Sequence, residues 1–167
     1  SAVPTGRDLL LTGFTMIEVL VVMAIFVIIS AFALFVSMDS FRGFSFRSER
    51  DTIITILQKA RNQAISNVCL GSSCTDGKPH GVHYDTGTVC HPGSSYFLIF
   101  QGPDFLSRDS AVDECVSVNS DVAIIMSGDI IFNQLDGTSN GGTANLSANF
   151  HSSTTTVTSE GQITWTN

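Results

Sequence analysis

A single carboxylate lies inside the most apolar stretch of the chain. Residues 14–36 hold 20 apolar residues among 23, and Glu18 is their only charged side chain. An acidic residue within a membrane-spanning helix costs about 2.5–3.5 kcal/mol on insertion scales, so such residues are usually paired or functional. The type and position of Glu18 therefore predict a polar pairing in lipid. Snorkelling of the carboxylate to the headgroups is the alternative.

Four cysteines all follow the apolar stretch. An even number of cysteines in an exported domain predicts two disulfides, for which three pairings are possible. The most local pairing joins Cys69 to Cys74 and leaves Cys90 for Cys115. The second bond would close the longer loop and contribute about 3 kcal/mol on the chain-entropy model.

A zinc site is the alternative use of these residues. The side chains that could bind zinc fall within 23 residues: Cys69, Cys74, His80, His83, Cys90 and His91. Thiolate and imidazole are good zinc ligands. The chain has neither a CxxC nor an HExxH pattern, and an oxidising compartment would take the thiols. We therefore expect no metal and no cofactor.

The remaining patterns predict neither catalysis nor nucleic-acid binding. The chain has no glycine-rich phosphate loop and no Gly-x-Ser-x-Gly elbow, and the adjacency of Cys90 and His91 is no evidence of a catalytic pair. Residues 136–142 match no calcium loop and are predicted to form a glycine-rich turn. Residues 68–167 carry two basic residues against ten acidic ones, a net charge of −8, so direct contact with nucleic acid is not expected.

Hydropathy divides the chain into four segments. Residues 1–13 form a short leader, and residues 14–36, about 35 Å long as a helix, are long enough to cross a bilayer core of about 30 Å. Residues 37–67 continue the helix as an amphipathic segment, since apolar residues recur there at helical spacing. These residues are Ile53, Leu57, Ala60 and Ala64. Residues 68–167 form a β-rich head on which that stripe is predicted to pack.

Short apolar stretches separated by Gly, Ser, Thr and Asn predict strands in the head. They cover residues 82–84, 96–100, 122–126, 130–132, 143–150, 154–158 and 162–165. Residues 127–129 and 160–161 are predicted to form tight hairpin turns. Because no helices separate the strands, the sheet should be antiparallel. The predicted fold class is α+β, a long N-terminal transmembrane-to-soluble helix packed on an antiparallel β-sheet head.

The junction Gly13-Phe14-Thr15-Met16-Ile17-Glu18 and the apolar run after it resemble the class III signal of type IV pilins and type II secretion pseudopilins. The resemblance implies cleavage after Gly13 by prepilin peptidase, N-methylation of Phe14, and a role for Glu18 in assembly. It also implies other pilin or pseudopilin subunits, an inner-membrane assembly platform and the lipid bilayer as partners. The chain would be a single-pass protein of the cytoplasmic membrane with its head outside the cytoplasm, incorporated into a pilus or pseudopilus.

The cut after Gly13 that the resemblance implies would also supply a partner for Glu18. It would give Phe14 an α-amine with a reference pKa of about 8, which is cationic at neutral pH. Glu18 of one chain and the Phe14 amine of a neighbour would then neutralise each other. Polar pairs count for more in lipid, where association lacks the usual hydrophobic drive, and such a pair would also fix the axial register between helices.

Two further features favour a minor subunit. The apolar helix has no proline, which large pilin subunits often have there. Residues 57–65 are similar to the segment before the head of H-type minor pseudopilins and of FimT- and FimU-like minor pilins, and residues 161–165 are similar to their final strand. The leader departs from the family pattern, because Arg7 is balanced by Asp8.

The sequence therefore predicts a minor pilin or pseudopilin, a non-catalytic structural subunit of a type IV pilus, a type II secretion pseudopilus or a competence pilus. The alternative from another class is a single-pass membrane-anchored ectodomain. Such a protein would bind a ligand or a metal and would not polymerise.

Overall fold

The computed structural model describes residues 15–72, 74–148 and 150–167, without the side chains of residues 35–40. The predicted leader, including Gly13, and the predicted first mature residue, Phe14, lie outside the described residues. The chain divides into two compact units at the bond between Phe41 and Arg42. All of the strands described below belong to the second unit, Arg42–Asn167.

In the described residues, one α-helix precedes eight strands. The elements are α1 Met16–Ile65, β1 His80–Asp85, β2 Tyr96–Gln101, β3 Glu114–Ser117, β4 Ala123–Met126, β5 Ile130–Phe132, β6 Gly142–Ala148, β7 His151–Val157 and β8 Ile163–Thr166. A single 3₁₀ turn, Ser110–Val112, precedes β3. The strands form two four-stranded antiparallel sheets, ordered β3-β2-β1-β5 and β4-β6-β7-β8. The α+β class with antiparallel sheets is confirmed.

The part of α1 that follows Arg42 packs by one face. The predicted stripe of Ile53, Leu57, Ala60 and Ala64 is buried, each residue being no more than 2% exposed. These residues join a core cluster with the inward side chains of both sheets. Two of the four are alanines, and small side chains let strands approach the helix backbone closely. The stripe is therefore the surface on which both sheets are assembled.

The helix ends in a Schellman motif at Asn67. This residue has a φ of 53°, in the left-handed region that asparagine tolerates better than most residues. Its N–H donates to the carbonyl of Ala64, and the N–H of Val68 donates to the carbonyl of Gln63. These bonds satisfy two carbonyls that the end of a helix would otherwise leave without partners.

Strand β2 is buried on both faces. Phe97 and Ile99 face the core cluster, whereas Phe100 lies under the loop that follows β2. In that loop the ring of Phe105 contacts Phe100 edge-on, with centroids 5.8 Å apart. Burial from two sides explains why β2 is an unbroken apolar run rather than an alternating one.

Two strand predictions differ from the structure at β3 and β6. Strand β3 was not predicted, because Glu-Cys-Val-Ser has little strand propensity and gains its structure from pairing with β2. Strand β6 ends at Ala148 rather than reaching Phe150, which lies fully exposed in the turn before β7. Both differences arise where tertiary pairing decides the structure rather than local propensity.

The prediction of a hairpin at residues 127–129 is wrong. Strands β4 and β5, which flank it, belong to different sheets, so this segment crosses from one sheet to the other. The other predicted hairpin is present, because β7 pairs with β8 across Glu160 and Gly161. Short apolar strands predict a turn between them but carry no signal for which sheet each one joins.

A buried carboxylate organises the loop after β1. Asp85 is 1% exposed and accepts hydrogen bonds from the Thr88 hydroxyl and from the backbone N–H groups of Thr88, Val89 and Cys90. Burial by itself would raise the pKa of Asp85. The hydrogen bonds from Thr88, Val89 and Cys90 outweigh it and hold the pKa of this carboxyl well below its usual range.

Replacing Asp85 with Asn should lower the free energy of unfolding by about 1.5–3 kcal/mol at neutral pH, the usual value of hydrogen bonds to a charged group. The folded pKa is depressed, so the stabilisation is present above the unfolded pKa of about 3.9 and is lost as pH falls through the folded pKa. The gap between wild type and Asp85→Asn should therefore shrink below about pH 4. Denaturation of the full chain in detergent, followed by the fluorescence of Trp165, measures it. Asp121→Asn, at an exposed residue whose carboxylate bonds to no described residue, is the control, and an unchanged gap in acid would contradict the account.

Enlarging Ala60 should destabilise Arg42–Asn167 by overpacking. This residue is 0% exposed, so Ala60→Leu must push the strands away from α1, at a cost of about 1–3 kcal/mol. Gln58→Leu, on an exposed position of the same helix, should change the free energy of unfolding by less than about 0.5 kcal/mol. The same denaturation experiment compares them. Equal effects of the two substitutions would show that the helix does not pack closely at Ala60.

Candidate functional site

The first turn of α1 is built by a threonine that the sequence analysis did not single out. The Thr15 hydroxyl accepts a hydrogen bond from the N–H of Glu18 at 3.3 Å, and the Thr15 carbonyl accepts from the N–H groups of Glu18 and Val19. This is the N-cap half of a capping box, for which Ser or Thr followed by Glu three residues later is the sequence signal. Thr15 therefore starts the helix directly before the apolar segment.

Glu18 lies in that first turn, where a negative charge interacts favourably with the positive end of the helix dipole. The large apolar side chains of Met16–Leu34 that surround it are 44–84% exposed. This segment has a mean hydropathy of 2.8 and is long and apolar enough to cross a membrane. Glu18 forms no salt bridge with any residue that the structure describes. An exposed apolar helix thus carries one unpaired carboxylate near its start.

Both disulfides have the pairing that the spacing favoured. Cys69 is bonded to Cys74 and Cys90 to Cys115, with Cα–Cα distances of 5.7 and 6.1 Å. The second bond ties the loop that Asp85 organises to strand β3.

The first disulfide loop is anchored by a buried amide. The Gln101 side chain is 1% exposed, accepts from the N–H of Leu70 at 2.6 Å and donates to the Leu70 carbonyl at 3.2 Å. Gln101 therefore pairs with the Cys69–Cys74 loop as another strand would. No local pattern predicts this contact, because Gln101 ends an apolar strand and lies 31 residues from Leu70 along the chain.

The histidines of the hypothetical zinc site lie in separate environments. His80 is fully buried with no hydrogen-bond partner among the described residues. Burial lowers the pKa of His80, and the nearby Lys78 backbone opposes this in part. His83 contacts Asp129 at 2.6 Å and stacks on Phe105. No group of three possible metal ligands occurs in the described part of the chain, and the disulfides use all four thiolates that zinc would need.

The basic residues of α1 mostly contact the head itself. Arg50 bonds to Asp51 and to the Asn167 side chain, and Lys59 bonds to Glu114 at 2.5 Å. Arg61 donates to the Gly137 carbonyl at 3.4 Å. These contacts connect the helix to both sheets of Arg42–Asn167.

The comparison with protein families finds one match. Residues 12–34 match the prokaryotic N-terminal methylation motif. No curated protein matches the chain. No solved structure matches it either. The matched residues include Gly13 and Phe14 and, in the described part, the capped first turn with Glu18 and the exposed apolar helix. Residues 12–34 therefore carry the class III signal that is found in type IV pilin-like proteins.

Proposed function

We propose that this chain is a minor pilin or pseudopilin, a structural subunit that is cut after Gly13 and methylated on Phe14. The observation that carries the proposal is the methylation motif at residues 12–34, which coincides with an exposed apolar helix holding one carboxylate in its first turn. Prepilin peptidase would process the chain, and an inner-membrane platform would add it to a filament of related subunits.

Pairing between Glu18 and a neighbour's Phe14 amine would guide assembly. Cleavage after Gly13 creates a cationic amine, and the N-cap at Thr15 holds Glu18 in the first helical turn, three residues from the helix start. In lipid an unpaired carboxylate and an unpaired amine are both costly. The contact between two subunits would remove both costs together, so a correctly staggered neighbour would be preferred over a displaced one.

The assignment as a minor rather than a major subunit rests on sequence features. The apolar helix lacks proline, and residues 57–65 are similar to the segment that precedes the head in H-type pseudopilins. Buried residues recur every three or four positions in this segment, which fits a role as the helix on which the sheets assemble. We also propose that the chain catalyses no reaction and that its processing is done by other proteins.

Replacing Gly13 with Ala should leave an uncut precursor, because a peptidase that cuts after glycine must accommodate a residue without a side chain. Intact mass measurement of the protein from host membranes should find the N-terminal peptide extended and unmethylated. Gly43→Ala is a matched control, since a methyl group there meets no atom nearer than 3.8 Å. It should be processed as wild type. A mature mass for Gly13→Ala would sink the proposed processing.

Replacing Glu18 with Val should leave cleavage intact but reduce entry into filaments. Loss of an interhelical polar contact in lipid costs about 1–2 kcal/mol, or about five- to thirtyfold in incorporation. Quantifying the chain in sheared filaments and in membranes of the host separates assembly from insertion. Glu18→Gln keeps a hydrogen-bonding group without the charge and should give an intermediate loss. Wild-type incorporation of Glu18→Val would instead support snorkelling.

A further inference from the structure

A groove lies between α1 and the first sheet of Arg42–Asn167. It has a volume of about 690 Å³, within the range of roughly 300–1,000 Å³ typical of ligand pockets. Its apolar floor consists of Ile56, Ile99 and Val116, and Phe44 lies at its rim, 71% exposed. The groove therefore combines an apolar floor with charged side chains in its lining, those of Arg47, Asp51, Lys59 and Glu114.

Polar contacts fix the direction of β3 along α1. At the start of β3, Glu114 bonds to Lys59, at 2.5 Å. After the end of β3 and outside the groove, Asn119 donates through its side chain to the Ser45 hydroxyl and through its backbone N–H to Glu49. Strand β3 therefore runs along α1 in the direction opposite to the helix.

The edge of β3 along the groove has free backbone groups. In antiparallel pairs, hydrogen-bonded and non-bonded residues alternate, and the bond from the Val118 N–H to the Ser95 carbonyl fixes the phase. The N–H and C=O groups of Cys115 and Ser117 consequently point away from β2. They have no partner among the residues that the structure describes. A strand could pair with this edge, as in other recognition by strand addition.

Strand β8 forms a second free edge on the opposite flank of α1. β8 begins just after Gly161, which lies next to Arg61 of α1. It ends just before Asn167, whose side chain bonds to Arg50 of α1. The same alternation, set by the bond from Thr158 N–H to the Gln162 carbonyl, turns the backbone groups of Ile163 and Trp165 outward. Trp165, the only tryptophan of the chain, is 50% exposed at this edge.

Strands β3 and β8 run in the same direction along the helix. By helical periodicity, Arg50 and Arg61 lie on the flank of α1 opposite to Lys59. Two copies placed side by side in the same orientation would therefore bring β8 of one next to β3 of the other as a parallel pair. The pairing needs no inversion of either copy. A polymer in which all the helices point the same way requires such a contact.

We propose that β8 and Trp165 of one copy dock into the groove beside β3 of a second copy in the same orientation. The outward groups of Ile163 and Trp165 pair with those of Cys115 and Ser117, and the indole covers the apolar floor. The contact joins two different surfaces, so it does not close on itself and can repeat along a filament. The inference deepens the proposed function, on which its biological meaning rests.

Charge favours this contact over others between two acidic heads. Residues 68–167 have a net charge of −8, yet β8 has no charged residue, so its approach to another head meets little repulsion. Within the groove, Lys59 is paired with Glu114 and Asp51 with Arg50. Both carboxylates of the lining are thus paired, and Arg47, also in the lining, has no ion pair among the described residues, so the groove presents no unpaired negative charge to a neighbouring head.

A photo-crosslinking amino acid, p-benzoylphenylalanine, placed at Trp165 tests the proposal in the full-length chain in detergent. Mixing isotopically light and heavy chains identifies bonds between two copies by mass spectrometry. We expect crosslinks to residues 44–59 or 114–117 of the other copy. The same probe at Ile125, which is 68% exposed on a different strand, should give none to these residues. Absence of groove crosslinks from position 165, or equal crosslinks from position 125, would overturn the proposal.

Matched substitutions separate this contact from association of the apolar helices in micelles. The readout is crosslinking of heavy chains carrying the probe at Trp165 to light chains that carry the substitution. Thr55→Trp should fill the groove and reduce the yield by about tenfold, the loss expected when the pocket of an aromatic anchor is blocked. Gln58→Trp, on the same helix but outside this groove, should leave the crosslinking yield within about twofold of the unsubstituted chain. Equal crosslinking yields for the two substitutions would show that this groove is not the docking site. If Gly13→Ala is still processed while the crosslink forms, the proposed function fails and the docking stands.

Discussion

One continuous helix has to satisfy two different surroundings, and the rest of the molecule depends on how its side chains change along it. Apart from Glu18, the helix is apolar on all sides and exposed between Met16 and Leu34. After Arg42 only one face stays apolar, and this face is closed over by two sheets. An all-round apolar helix is suited to lipid, whereas a one-sided stripe is suited to a protein core. The change of pattern therefore separates anchoring from folding within a single element.

Two loops of the head are held by buried polar side chains. Asp85 accepts hydrogen bonds from N–H groups of the loop that contains Cys90. Gln101 is hydrogen-bonded in the same way to the loop that contains Cys69. In each case the side chain supplies the hydrogen bonds that a neighbouring strand would have made. Each disulfide then lies beside such an anchor, so the covalent bond and the hydrogen bonds restrain the same segment.

The sequence was sufficient where a single periodic signal decides the structure. The stripe at Ile53 and Leu57, the apolar helix and the antiparallel sheets all follow from local patterns, and so does the methylation motif at residues 12–34. It was insufficient where distant segments decide. Strand β3 exists because β2 offers an edge, and residues 127–129 cross between sheets because β5 pairs with β1. The cap at Thr15 has a local signal too, because Thr-x-x-Glu before an apolar run is typical of a capping box.

The edges of the two sheets are treated differently, and this difference has a physical meaning. The outer edge of β5 is covered by its own chain, since Ile131 bonds through both backbone groups to Asn140. Strand β8 has no such cover among the described residues and no charged residue to repel a neighbour. Natural sheets usually blunt their free edges with charges, proline or bulges, because an open edge pairs with other chains. An uncharged edge that carries the only tryptophan is a liability for a protein that stays alone, but it is a suitable contact for one whose heads are held side by side.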